Sequence, residues 1–83
     1  MKLYRLSALR RAMGETQAEA AAALGISKSN YYLKERGVLS FSREDLLRII
    51  CRYRLTKEEF WDIFFADEVN RNENFDMEQE DLP

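Results

Sequence analysis

Apolar residues recur at helical spacing in separate stretches of this chain, and polar capping residues stand at the heads of most of them. Leu6, Leu9 and Met13 form one such stripe, Leu46, Ile50 and Tyr53 a second, and Phe60, Ile63 and Phe64 a third. Thr16 with Glu19 and Thr56 with Glu59 have the capping-box spacing, in which each side chain satisfies an orphan donor at a helix start. Ser42 with Asp45 is a weaker version, and Ser27 is an N-cap without the reciprocal acid. Hydrophobic staples accompany three of these starts, pairing Ile26 with Tyr31, Phe41 with Leu46 and Leu55 with Phe60. The pattern predicts helices over 3–13, 17–24, 28–36, 43–53 and 57–65. No stretch shows the sustained alternation of a strand.

The second and third helices differ from the others. Ala18, Ala20, Ala21, Ala22 and Ala23 crowd the second, which lets another helix axis approach closely, and only Leu24 is large. Gly25 follows where the chain must turn sharply, a position suited to positive φ. Ile26 plugs the turn and Ser27 starts the next helix at once. Two short helices joined by a tight glycine-containing turn are the sequence logic of a helix-turn-helix.

Composition adds exclusions. Eighty-three residues, with 46% hydrophobic and 34% charged, suit one small folded domain. No apolar run nears the ~20 residues of a membrane span, and the opening MKLYRLSALRR lacks a signal-length apolar block, so a cytoplasmic location is expected. Cys51 is the sole cysteine and is expected to be a small, partly buried apolar residue. The absence of histidine removes the commonest general base and metal ligand, so neither catalysis nor a metal or other cofactor is expected. Charge is unevenly divided: residues 1–54 carry 11 Lys and Arg against 5 Asp and Glu, and residues 55–83 carry 2 against 10. The whole-chain net charge of −2 therefore conceals a basic body and an acidic end. The expected architecture is all-α, a compact five-helix domain over residues 1–66 with a flexible acidic tail over 67–83.

From Gly14–Glu15–Thr16–Gln17–Ala18–Glu19 through Ala21, Leu24–Gly25–Ile26–Ser27, Tyr31 and Glu35–Arg36–Gly37, the chain resembles the Cro/cI-type (XRE) helix-turn-helix domain of phage and bacterial repressors. The similarity runs from about Leu3 to Phe65, including the lambda-repressor-like order of five helices. It implies that the third helix enters the major groove of double-stranded DNA, with Ser27, Lys28, Ser29 and Asn30, then Tyr32 and Leu33 one turn on, at the base edges. Lys28 would donate to guanine, Asn30 would pair with adenine, and Leu33 would offer apolar contact to a thymine methyl. Gln17, Arg10, Arg36 and Arg43 match phosphate-contacting positions, and Arg10 with Glu35 matches a pair tying the first helix to the third. Lys34 departs from the family by standing at a usually apolar position, with its stem expected along the core and its ammonium in solvent. Arg48, Arg52 and Arg54 are expected on a solvated helix face.

The aromatic end of the fifth helix, Phe60, Phe64 and Phe65, is a candidate twofold homodimer contact, since the family binds paired half-sites. The expected function is that of a phage- or prophage-type repressor binding an inverted-repeat operator as a dimer. The alternative is a protein-interaction module on the same scaffold, an antitoxin or a phage-encoded inhibitor, engaging a protein through the aromatic helix and acidic tail.

Overall fold

The computed structural model describes residues 2–66. The acidic segment 67–83, and with it every expectation about the tail, lies outside the described residues. The described chain forms five helices: α1 (Tyr4–Ala12), α2 (Gln17–Leu24), α3 (Lys28–Glu35), α4 (Arg43–Tyr53) and α5 (Lys57–Phe64). No strand occurs among the described residues.

Local chemistry sets the helix starts. Thr16, Ser42 and Thr56 accept from the backbone N–H three residues on, and Glu19, Asp45 and Glu59 accept in return from the cap N–H, so three reciprocal boxes are complete. Ser27 caps α3 alone, accepting from Asn30 N–H at 3.1 Å. α2 ends at Gly25, whose φ of 73° lies in the left-handed region, and Ile26 N–H reaches back to Ala21 O at 3.0 Å. That turn sets the short path from α2 into α3.

The core consists of Leu6, Ala20, Ala21, Leu24, Tyr31, Ile49 and Phe64. The alanines let α3 pack closely on α2, and Tyr31, on α3, is fully buried in the core. An aromatic series carries the core into α5. Tyr31 meets Phe41 edge-on at 6.1 Å, Phe41 meets Phe64 edge-on at 6.0 Å, and Phe60 lies 5.0 Å from Phe64.

Three expectations fail in detail. Met13 is 59% exposed because α1 ends at Ala12 and Gly14 turns the chain away, leaving Leu6 as the buried anchor of that helix. In α4 the innermost residue is Ile49, with Leu46, Ile50 and Tyr53 only partly covered around it. Cys51 is exposed, two positions beyond Ile49 and thus about 200° around the helix from it. Phe64 joins the core through Phe41, in keeping with its place in the third stripe, and the exposed aromatics are Trp61 on α5 and Phe65 at its C-cap.

Arg54 closes α4 with φ 53° and ψ 51°, the one non-glycine residue at positive φ among the described residues. That conformation costs an L-residue about 1–2 kcal/mol, and glycine would give back only part of the gain through its greater freedom when unfolded. Arg54→Gly is therefore expected to stabilise the domain by up to about 1 kcal/mol. The check is a thermal melt. An upward shift of several degrees is expected, and an unchanged or lower midpoint would contradict the strain argument.

Candidate nucleic-acid interface

The inner side of α3 is fixed before its outer side can act. Glu35 is 3% exposed and receives Arg10 from α1 in a forked pair, Nε to Oε2 at 3.0 Å and Nη2 to Oε1 at 3.3 Å. Gln17, at the first position of α2, donates Nε2 to Oε1 at 3.1 Å. One carboxylate thus joins three helices. Burial alone would raise its pKa, but the Arg10 guanidinium, with the nearby Tyr31, Ser7 and Gln17 side chains, outweighs burial and holds it down at about 2. The buried Tyr31 hydroxyl approaches this carboxylate without completing a well-formed hydrogen bond. Burial, and then the adjacent negative charge, push that phenol's pKa up.

Two further ion pairs position the helix-turn-helix on the rest of the domain. Lys34 donates Nζ to Asp45 Oδ2 at 2.7 Å, with the carboxylate side chain only 5% exposed. Its ammonium therefore ends on a buried partner, 5.9 Å from the Phe41 ring centroid, and the expectation of a solvated ammonium is overturned. The cause is Asp45, which its capping role turns inward. Burial works against that carboxylate, and the Lys34 and Ser42 hydrogen bonds still lower its pKa. Glu15, in the turn before α2, takes Arg52 and the Tyr53 hydroxyl from α4. Arg48 reaches Leu24 O at 3.3 Å and so satisfies a terminal carbonyl of α2. Arg48 and Arg52, exposed as expected, thus also act as ties. Periodicity shows only that they lie off the core stripe, and their partners are distant in sequence.

With Arg10, Lys34 and Arg52 paired to Glu35, Asp45 and Glu15, residues 1–54 keep eight further cations against two further acids, Glu19 and Glu44, while α5 contributes Glu58, Glu59 and Asp62, and Arg5 bonds the Asp62 carbonyl. The net positive charge of the body therefore sits outside these internal pairs. Among the sites expected from sequence, Ser27, Lys28, Ser29 and Asn30 are all exposed along the first turn of α3. Tyr32 is 42% exposed. Leu33 is half-buried, its carbonyl accepting from Val38 and Leu39 N–H as the chain leaves the helix. Arg36, at the end of α3, and Arg43, at the first position of α4, are exposed.

Gln17 is half-buried. The amide nitrogen that binds Glu35 has a second hydrogen, and Gln17 stands at the first position of α2. Arg10 differs from the other three candidate phosphate contacts. It is 7% exposed, its guanidinium is held by Glu35, and Nη1 donates to Glu15 O at 2.7 Å. The arrangement leaves one helix with a locked inner face, an exposed outer face, and at its two ends the cations Lys28 and Arg36, which have no carboxylate partner among the described residues.

A family model described as a helix-turn-helix domain matches residues 4–60, which spans α1 to the fourth residue of α5. No curated protein and no solved structure gave a significant match. The Gly25 turn, the capped α3 behind it and the match over most of the chain agree, and the chain belongs to the helix-turn-helix domain family.

Proposed function

We propose that this chain is a sequence-specific regulator that binds double-stranded DNA, a Cro/cI-like repressor of phage or prophage type that acts on an inverted-repeat operator. The observation that carries the reading is the state of α3: Tyr31 and Glu35 fix its inner side, while Lys28, Ser29 and Asn30 stand exposed at its N-terminal end. That is the end a recognition helix presents to base edges in the major groove. Lys28 donates to guanine and Asn30 pairs with adenine, Ser29 adds a short hydroxyl contact, and Leu33 meets a thymine methyl. Gln17 with the start of α2, and Arg43 at the start of α4, bind phosphates and set the register. Arg10 acts indirectly by holding α3 against α1. No cofactor takes part in this mechanism.

An inverted repeat requires a twofold dimer. On α5, Trp61 is 49% and Phe65 36% exposed, and their rings lie 5.5 Å apart, an apolar pair suited to the same pair on a second copy. Phe60 and Phe64 support that surface from beneath. The same exposed pair favours a second reading, in which the scaffold docks a protein through α5.

Selection of bound duplexes from a random pool tests the proposal. The expected product is a palindromic site with half-sites about 10 bp apart, centre to centre. A pool that enriches no sequence would contradict the regulator reading and leave the docking one.

A further inference from the structure

On α3, residues advance by about 100° each, so the inward direction of Tyr31 and Glu35 turns Ser29 and Arg36 outward, with Tyr32 on the flank beside them. Tyr32 and Arg36 are four residues apart and touch. Arg36 Nη1 donates to Tyr32 Oη at 2.9 Å, and the guanidinium carbon lies 5.4 Å from the ring centroid. We propose that this pair is a single preformed seat for one phosphodiester of the DNA backbone, so that Tyr32 fixes the depth of α3 through an anion contact instead of reading a base. The inference rests on the DNA-binding reading above.

Three features point to an anion. A phenol oxygen that accepts from a guanidinium turns its own O–H outward as a donor, and the guanidinium retains further N–H donors. The pair therefore presents hydrogens, which an anionic oxygen satisfies. Next, the well-buried carboxylates Glu35 and Asp45 are taken by Arg10 and Lys34, and Glu15 by Arg52, while Arg36 has no carboxylate partner among the described residues. Finally, Arg36 caps the C-terminal end of α3. A recognition helix meets bases with its N-terminal residues, so its far end lies toward the backbone. Held against the ring, the guanidinium has less freedom to lose on binding than a loose surface arginine.

The test uses the full chain as wild type, Tyr32→Phe, Arg36→Gln and the double variant, each titrated over a range of salt. The duplexes are the one selected from the random pool and an unrelated one. Both residues are exposed, and Tyr32→Phe keeps the ring. Tyr32→Phe is expected to weaken binding about five- to tenfold on both duplexes alike, with the salt slope unchanged. Arg36→Gln is expected to weaken both and to lower the slope by about 0.9, the value of one neutralised phosphate. The double variant is expected to bind within about twofold of Arg36→Gln, because the hydroxyl is placed by the arginine. A harmless Tyr32→Phe, a loss confined to the selected duplex, or losses that multiply would each overturn the seat while leaving the DNA-binding reading intact. A wild type that binds no duplex would overturn both.

Discussion

Glu35→Ala is expected to cost about 3–5 kcal/mol, because it leaves the Arg10 guanidinium buried without its carboxylate. Arg10 is 7% and Glu35 3% exposed, so the pair lacks the solvent screening that makes exposed ion pairs worth so little. The substitution also strips Gln17 of its acceptor and removes the charge beside the Tyr31 hydroxyl. Single domains are commonly stable by about 0.05–0.15 kcal/mol per residue, which is about 3–10 kcal/mol for a domain of this size, so the loss is from about a third to all of the total. Urea denaturation should show a midpoint lowered by about a third or more, or a chain already unfolded. Arg10→Met combined with Glu35→Leu should lie nearer to wild type than either single change, since an apolar pair leaves no buried charge unmatched. A loss below about 1 kcal/mol for Glu35→Ala would mean that the pair behaves like an exposed one.

The same carboxylate gives the domain an acid limb. Its pKa is about 2 in the folded chain against an ordinary 4.5, so the folded state binds fewer protons than the unfolded chain in that window. The stabilisation is complete above about pH 4.5 and is lost as pH falls toward 2. Glu15 and Asp45, also lowered, act in the same direction. Stability followed from pH 6 to pH 2 should therefore fall in the wild type and fall less steeply in Glu35→Gln, which has no carboxyl to protonate at that position.

Where the governing chemistry is local, it was legible from the sequence. Thr16, Ser27, Ser42 and Thr56 each cap the helix they head, because a cap and its partner lie three residues apart and need no tertiary knowledge. Gly25 takes the positive φ that its place between Leu24 and Ile26 required. What stayed hidden depends on partners distant along the chain. Lys34 ends on Asp45, Arg48 on a carbonyl of α2, and Arg52 on Glu15, and nothing in the spacing of these cations distinguishes an internal tie from a solvated charge. Met13 and Ile49 show a second limit. A short helix ends or rotates within half a turn of its ideal stripe, and one residue then exchanges core for surface. In the aromatic run of α5, Phe64 belongs both to the apolar stripe and to the candidate dimer contact; it turns inward to Phe41 while Trp61 turns out, a division that only packing decides.

The reading of α3 as a recognition helix is tested most directly by changing Lys28 and Asn30 together to alanine. Both side chains are exposed, and Ser27 accepts from the backbone of Asn30 rather than its side chain, so the fold should survive with its urea midpoint little changed. A well-formed contact to a base edge discriminates by about 1–3 kcal/mol. Two such losses predict a fall between about thirtyfold and about twenty-thousandfold in affinity for the selected duplex. Affinity for an unrelated duplex, carried by phosphate contacts, should fall far less. The measurement is the ratio of the two affinities, at one fixed salt concentration, for wild type and the folded double variant. Collapse of that ratio toward one is the result this account predicts. A folded double variant that keeps the wild-type ratio would contradict it, and the bare outer face of α3 would not be the surface that reads sequence.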